Sequence, residues 1–287
     1  MFRSANRLYG AIIAAGTCLV STQAWAEAQP WGTYLQPADT QVAEDIHTFG
    51  ALTFWIVGII TLFVLGLLVY VVVRFNAKAN PVPSKTSHNT MIEVVWTIAP
   101  IMILLIIAVP SFRLLYEELV IPDAKMTIKV TANKWYWNYE YPEQGDISFD
   151  SYMLKDEERT DPVKQPRLLA VDSPLVLPVG EVIRIQVTAT DVIHSFAMQP
   201  FGVKIDAIPG RLNESWFKIE NAGTFYGQCS ELCGQNHAFM PIEIRAVTAD
   251  QFAKWTEAAK TDLNAAKALL AQFDDENAKA PTTVAAN

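Results

Sequence analysis

Cysteine is scarce in this chain: three residues in 287. That excludes a scaffold stapled by disulfides, and a chain of this length has no need of one to build a core. Histidine is nearly as rare, with four residues. His47 and His88 lie in or beside strongly apolar stretches, which leaves His194 and His237 for chemistry elsewhere, and no Ser/His/Asp arrangement can be assembled. There is no glycine-rich phosphate loop and no internal repeat. Positive charge is not in excess either: the net charge is −8, and the surplus acids lie after Glu117. Such a balance argues against nucleic acid and toward a basic partner.

What is abundant is apolar sequence at the front. Arg3 and Arg7 precede the short apolar run LYGAIIAAGTCLV, and small-residue motifs follow at Ala24-Trp25-Ala26 and Ala26-Glu27-Ala28. This predicts a signal peptide over residues 1–28, cleaved after Ala26 or Ala28 and carrying Cys18 away with it. Ala51 to Val73 and Val94 to Phe112 are then uncharged, and each is about the 20 residues a membrane-spanning helix needs. Neither shows the polar stripe of a soluble helix. Residues 29–120 are accordingly expected to form an N-terminal segment and a two-helix transmembrane hairpin, with helices near 46–75 and 92–116. The connecting loop carries Arg74, Lys78 and Lys85 and no acid, which places it in the cytoplasm and both termini in the periplasm.

From Lys125 the pattern becomes period two. KMTIKVTANKWYWNYEY, PLVLPVGEVIRIQVTAT, GTFYGQC and MPIEIRAV read as strands punctuated by Pro and Gly, so residues 121–248 are expected to be an all-β Greek-key domain. In KWYWNYEY, alternation puts Trp135, Trp137, Tyr139 and Tyr141 on one face and Tyr136 on the other. Residues 249–287 read as a C-terminal helix followed, after Phe273, by a disordered tail.

Two of the three cysteines fall in one loop, GQCSELCGQNHAFMP, Gly227 to Pro241. Cys229 and Cys233 could close a disulfide, but that leaves His237 and Met240 without a purpose. Structural zinc prefers a closed set of four Cys or His ligands, and thioether is a poor fit to it. A redox dithiol would usually show Cys-x-x-Cys in an α/β setting. Copper accounts for every donor: thiolate, imidazole and thioether are the ligands a redox copper takes. Two thiolates can bridge a pair of coppers, each completed by one histidine, with Met240 and a loop carbonyl as weaker ligands. A bridged pair spreads the transferred charge, so each bond changes less on reduction.

The loop resembles the binuclear copper (copper A) loop of cytochrome c oxidase subunit II. The resemblance extends to TIAP in the second apolar segment, KWYWNYEY, SFDSYM, TATDVIHSF and DAIPGRLNESWF, roughly Thr40 to Trp255. It implies a periplasmic cupredoxin-like domain behind a two-pass anchor in a bacterial inner membrane. It implies that His194, Cys229, Cys233, His237 and Met240 hold two copper ions, with Glu231 adding its main-chain carbonyl. The Glu231 carboxylate would also hold a magnesium or manganese ion shared with the catalytic subunit, a hard cation suited to oxygen ligands. Electrons would enter at Trp135, with Tyr136 beside it. Glu140, Asp172 and Asp191 would be docking carboxylates for cytochrome c, and Glu93 would stand at the entrance of a proton pathway. The implied activity is that of a proton-pumping oxidase: electrons pass from cytochrome c through the copper pair to a haem in subunit I, where oxygen is reduced to water. The implied partners are cytochrome c, subunit I, other oxidase subunits and the lipid bilayer, with no role for nucleic acid.

Overall fold

A computed structural model of the chain describes residues 34–279. The predicted signal peptide and Cys18 lie outside the described residues. The first helix, α1, runs from Gln41 to Arg74, and the second, α2, from Thr90 to Leu119. Both start earlier than hydropathy alone suggests, because a side-chain cap precedes each apolar run. Thr40 accepts from the Ala43 N–H, and Asn89 accepts from the N–H groups of Met91 and Ile92, satisfying donors that a helix start leaves orphaned. At 1.5 Å per residue the two helices are about 50 and 45 Å long, more than the roughly 30 Å of a bilayer core. Their apolar side chains stand exposed around the whole circumference: Phe54, Leu62, Val72, Leu104 and Val109 are each 65–73 % exposed. With no protein covering them, these are surfaces for lipid or for neighbouring membrane helices.

The excess length of α1 is spent on the soluble part. Thr40 donates its hydroxyl to the Phe201 carbonyl (2.9 Å), and Asp39 N–H donates to the Pro200 carbonyl. The Asp39 carboxylate accepts from both the backbone and the side-chain amide of Asn221. At the end of α2, Trp216 Nε1 donates to the Glu117 carbonyl (3.1 Å). The hairpin therefore meets the following domain through hydrogen bonds at both membrane-facing ends.

That domain is a β-sandwich of two five-stranded sheets. The strands are β1 Met126–Asn133, β2 Tyr136–Tyr141, β3 Ile147–Ser151, β4 Leu175–Pro178, β5 Val182–Ala189, β6 His194–Met198, β7 Val203–Ala207, β8 Asn213–Lys218, β9 Gly223–Cys229 and β10 Pro241–Val247. One sheet has the order β3-β2-β1-β5-β8 and the other β4-β10-β9-β6-β7. The β1–β5 and β4–β10 pairs are parallel and the rest antiparallel. Strict alternation of buried and half-buried residues in β1, β2 and β5 matches the sequence pattern. Trp137, Tyr139 and Tyr141 point into the core, as their spacing requires. Trp135 packs only against the edge of that core: it sits in the turn before β2 and is half-buried beside the loop after β9. The alternation expected to include it ends where the strand ends.

The C-terminal region departs from the single helix expected. It forms two helices, α3 Ala249–Ala259 and α4 Leu263–Lys279. Asp262 interrupts the run by accepting from the Asn264 N–H (2.8 Å), an interaction that favours a new helix start over continuation. Helix α4 also continues through Asp274, into the stretch expected to be disordered. Arg245 of β10 pairs with Asp274, and Gln251 Nε2 donates to Glu276 (3.2 Å), so polar contacts hold a segment with little apolar content. In α3, Thr248 and Gln251 form a reciprocal capping box, and Trp255 is buried against Tyr141 and Phe149.

Candidate metal centre

The centre lies where β6 and β9 meet. They pair Phe196 with Cys229 and Ala197 with Gln228, and beyond the strand Ser230 N–H donates to the Ser195 carbonyl. This register places His194, at the start of β6, beside Cys229, at the end of β9. A close approach makes it possible: a Cβ at Gly227 would lie 2.2 Å from the Ala197 carbonyl oxygen, so no larger residue fits. The chain then turns through Gly234, whose φ of +120° suits glycine, and through a short 3-10 turn at His237–Phe239 before entering β10. That path brings His237 and Met240 back over Cys233.

The two sulfurs are 3.8 Å apart and free, well beyond the roughly 2.0 Å of a disulfide. His194 Nδ1 lies 3.9 Å from Cys229 Sγ, and His237 Nδ1 lies 3.5 Å from Cys233 Sγ. Met240 Sδ is 3.6 Å from Cys233 Sγ, and the Glu231 carbonyl is 3.4 Å from Cys229 Sγ. Every donor singled out in the loop, together with His194 from a separate strand, therefore faces one small volume. Cys229, Cys233 and Met240 are nearly inaccessible and His194 is wholly buried, while His237 is half-buried.

Electrostatics favour ionised sulfur on one side first. Burial opposes ionisation of Cys229, but its contacts with the His194 ring and with the backbone around the loop outweigh it and hold its pKa below the ordinary thiol value. Cys233 is pushed the other way, by burial and by the charge on Cys229. One thiol of the pair therefore ionises more easily than the other, and a metal bound between them would displace the remaining proton. The donor set is soft sulfur and imidazole, largely buried, which suits a redox metal of the copper type and gives a hard cation little. The cluster fits a copper A site.

Three supporting contacts were not legible as such in the sequence. Asp191 Oδ1 lies 2.9 Å from His194 Nε2 and fixes the ring with Nδ1 toward the sulfurs. Its carboxylate also accepts from the N–H groups of Val192 and Lys134, so an acid expected to serve as a docking charge is already engaged at the site. The Asp-x-x-His spacing was the available signal. Trp137 Nε1 donates to the Met240 carbonyl (3.2 Å), and Trp135 Nε1 donates to the Cys233 carbonyl (3.3 Å). Trp135 packs across Gly234, where an added Cβ would come 3.1 Å from its ring.

The remaining singled-out residues fall in different places. Trp135, Glu231 and Cys233 line an open cleft of about 510 Å³ together with Lys134, Ile193 and the highly exposed Leu232. Glu231 has its side chain in solvent and its carbonyl toward Cys229. Tyr136 stacks on Tyr152 with ring centroids 4.6 Å apart. Asp172 is exposed and accepts from the Tyr152 N–H (2.9 Å). Glu140 is half-buried and paired with Lys129 at 2.6 Å. Glu93 is in the first turn of α2, at the end of that helix away from the sandwich.

A two-helix membrane anchor carrying a β-sandwich with paired cysteines between two histidines defines a class: a membrane-bound electron-transfer subunit with a cupredoxin-like metal domain. The comparisons with known proteins make it particular. Residues 126–247 match the family model described as cytochrome c oxidase subunit II, periplasmic domain, and residues 28–114 match its transmembrane domain. The probable cytochrome c oxidase subunit 2 of Rickettsia bellii (strain RML369-C) is 48 % identical over 248 residues, covering 86 % of this chain and 90 % of the relative. The cytochrome c oxidase subunit 2 of Cereibacter sphaeroides is 41 % identical over 283 residues, covering 90 % and 93 %. Among solved structures, the periplasmic domain of subunit II of cytochrome oxidase from Bradyrhizobium japonicum is 59 % identical, covering 49 % of this chain and 97 % of that one, with a TM-score of 0.46. The chain belongs to the cytochrome c oxidase subunit II family. Members are subunits of cytochrome c oxidase, an oxidoreductase complex, and an electron-transfer role for the family is consistent with this donor set.

Proposed function

We propose that the chain receives single electrons from cytochrome c at a binuclear copper centre and delivers them to a haem in subunit I, as part of a proton-pumping oxidase of a bacterial inner membrane. One observation carries the reading: two free sulfurs 3.8 Å apart, flanked at 3.9 and 3.5 Å by one histidine each. His194, Cys229, Cys233, His237, Met240 and the Glu231 carbonyl would hold the metal pair, which when bound supplies one-electron redox chemistry. The chain's own contribution is to bury the donors, orient His194 through Asp191 and exclude water around the sulfurs. Trp135 links the cleft to the centre through its bond to the Cys233 carbonyl, which supports its role as the point where electrons enter, with Tyr136 adjacent.

The finer assignments follow from the same reading. The Glu231 carboxylate, projecting from the metal loop into solvent, would share a magnesium or manganese ion with subunit I. Asp172 is the docking acid with the freest charge; Glu140 and Asp191 contribute more weakly because Lys129 and His194 face them. Steering by such charges should fade as salt screens it. Glu93 would serve the entrance of a proton pathway on the cytoplasmic side. The acid-free basic loop of Arg74, Lys78 and Lys85 supports that orientation, with both termini periplasmic and a signal peptide removed.

Metal analysis of the full chain, wild type beside Cys233→Ser, tests the proposal. Two coppers per wild-type chain, sharing one unpaired electron by EPR and absorbing in the near infrared, is the expected result. The substituted chain should lose that signature. A wild-type chain that takes up one copper, or none after reductive reconstitution, would overturn it.

A further inference from the structure

Away from the metal centre, one carboxylate is buried on the outward face of its strand, where alternation calls for a solvated residue. Glu243 of β10 is 6 % exposed, on the face opposite to the core residues Ile242 and Ile244. Its Oε2 accepts from the Val171 N–H at 3.0 Å. Val171 ends a long segment that leaves β3 and returns to β4. The two ends of that segment are stitched together: Met153 bridges Val171, Leu154 N–H donates to the Ala170 carbonyl, and Asp172 N–H donates to the Tyr152 carbonyl. The Asp172 carboxylate accepts from Tyr152 N–H, and the Tyr152 ring stacks on Tyr136. A continuous set of contacts thus runs from Glu243 to the surface residues Tyr152, Asp172 and Tyr136.

We propose that Glu243 is a proton-sensitive latch: its carboxyl group holds residues 152–172 against the sheet and so positions Tyr152 and Asp172 on the face that meets the electron donor. The positioning half rests on the donor reading given above; the latch itself does not.

The surroundings explain the proton sensitivity. Arg245, on the same strand, is paired with Asp274 of α4, so little of its charge is free for Glu243. Asp274 repels a Glu243 carboxylate. Tyr139 of β2 is buried, and its hydroxyl has no hydrogen-bond partner among the described residues. Tyr226 of β9 lies opposite in register. Burial raises the Glu243 pKa to about 7, against the opposing pull of Val171 N–H and Arg245 and with a further push from Asp274. Opening the segment returns the group to water and to its ordinary value. The closed form then binds the proton more tightly than the open form. Its advantage is complete below the ordinary carboxylate range and shrinks as pH rises. The opening constant grows about tenfold per pH unit across that window and levels off above the folded pKa.

The test is hydrogen exchange of residues 152–172 in the full chain within its oxidase complex, between pH 5 and 8, with intrinsic rates corrected for pH. Wild type should lose protection as pH rises toward 7. Glu243→Gln keeps an acceptor for Val171 but no titrating proton, so its corrected protection should be flat. A wild-type profile without pH dependence, or the same dependence in Glu243→Gln, overturns the latch. Should Glu243→Gln fail to assemble, the wild-type profile still decides. The KM for reduced cytochrome c, measured alongside, should rise with pH more in wild type than in Glu243→Gln, with kcat little changed. Exchange that follows the latch while KM does not would leave the latch standing and remove the donor face from that part of the surface.

Discussion

His194 and Asp191 lie three residues apart and in contact: the imidazole Nε2 is 2.9 Å from the carboxylate, while Nδ1 faces the Cys229 sulfur. One ring nitrogen is thereby committed to the protein and the other to the metal position. A carboxylate behind a ligating histidine fixes the ring and raises its basicity.

Replacing Asp191 with alanine should therefore weaken metal binding by about 10–100-fold. The domain should still fold, because the carboxylate is partly exposed and its other partners are backbone N–H groups of a turn. Copper titration followed in the near infrared measures the affinity, and far-ultraviolet circular dichroism checks the fold. Unchanged affinity would remove Asp191 from the centre.

Gly234→Ala should disturb Trp135. The new Cβ would sit 3.1 Å from the ring, and a φ of +120° costs a non-glycine residue about 1–3 kcal/mol. Electron uptake from reduced cytochrome c, followed by stopped flow, should slow severalfold. Copper content measured on the same sample separates a moved tryptophan from a lost metal.

Gly227→Ala is expected to prevent folding of the sandwich and not merely to weaken it. A Cβ 2.2 Å from the Ala197 carbonyl cannot be relieved by a side-chain rotation, since the opposing atom is backbone. The strands it would force apart are those that bring His194 to Cys229. Accumulation of soluble domain and its metal content should fall together; a stable, copper-loaded variant would contradict the packing described here.

Asp39→Ala should loosen the hairpin from the sandwich. The carboxylate accepts from two N–H groups of Asn221, and because Asn221 is exposed and water can replace the lost acceptor, removal should cost about 0.5–1.5 kcal/mol per bond. Proteolysis between α1 and the sandwich, or hydrogen exchange near Asn221, should increase while the copper spectrum is retained.

Much of this molecule could be read before any coordinates. The uncharged runs in α1 and α2 and the alternation in β1, β2 and β5 were written in local sequence, because each element's own periodicity declares which side meets lipid, core or water. The loop donors Cys229, Cys233, His237 and Met240 were legible for a similar reason: a short loop keeps neighbours in sequence close in space. Glu140 and Asp191 show what local sequence leaves out: a lysine on the adjacent strand and a histidine three residues on are in contact with them, and neither contact is declared by the acid's own neighbourhood.

Sequence by itself determined the anchor, the sandwich and the donor chemistry, since length, hydropathy and ligand type are properties of short segments. Only the tertiary structure decided how His194 joins the loop, which acids are free, why Trp135 leaves the strand face, and that Glu243 is buried beneath a segment distant in sequence. Those outcomes depend on register between strands and on which backbone covers which side chain, and register is fixed by the whole packed sandwich.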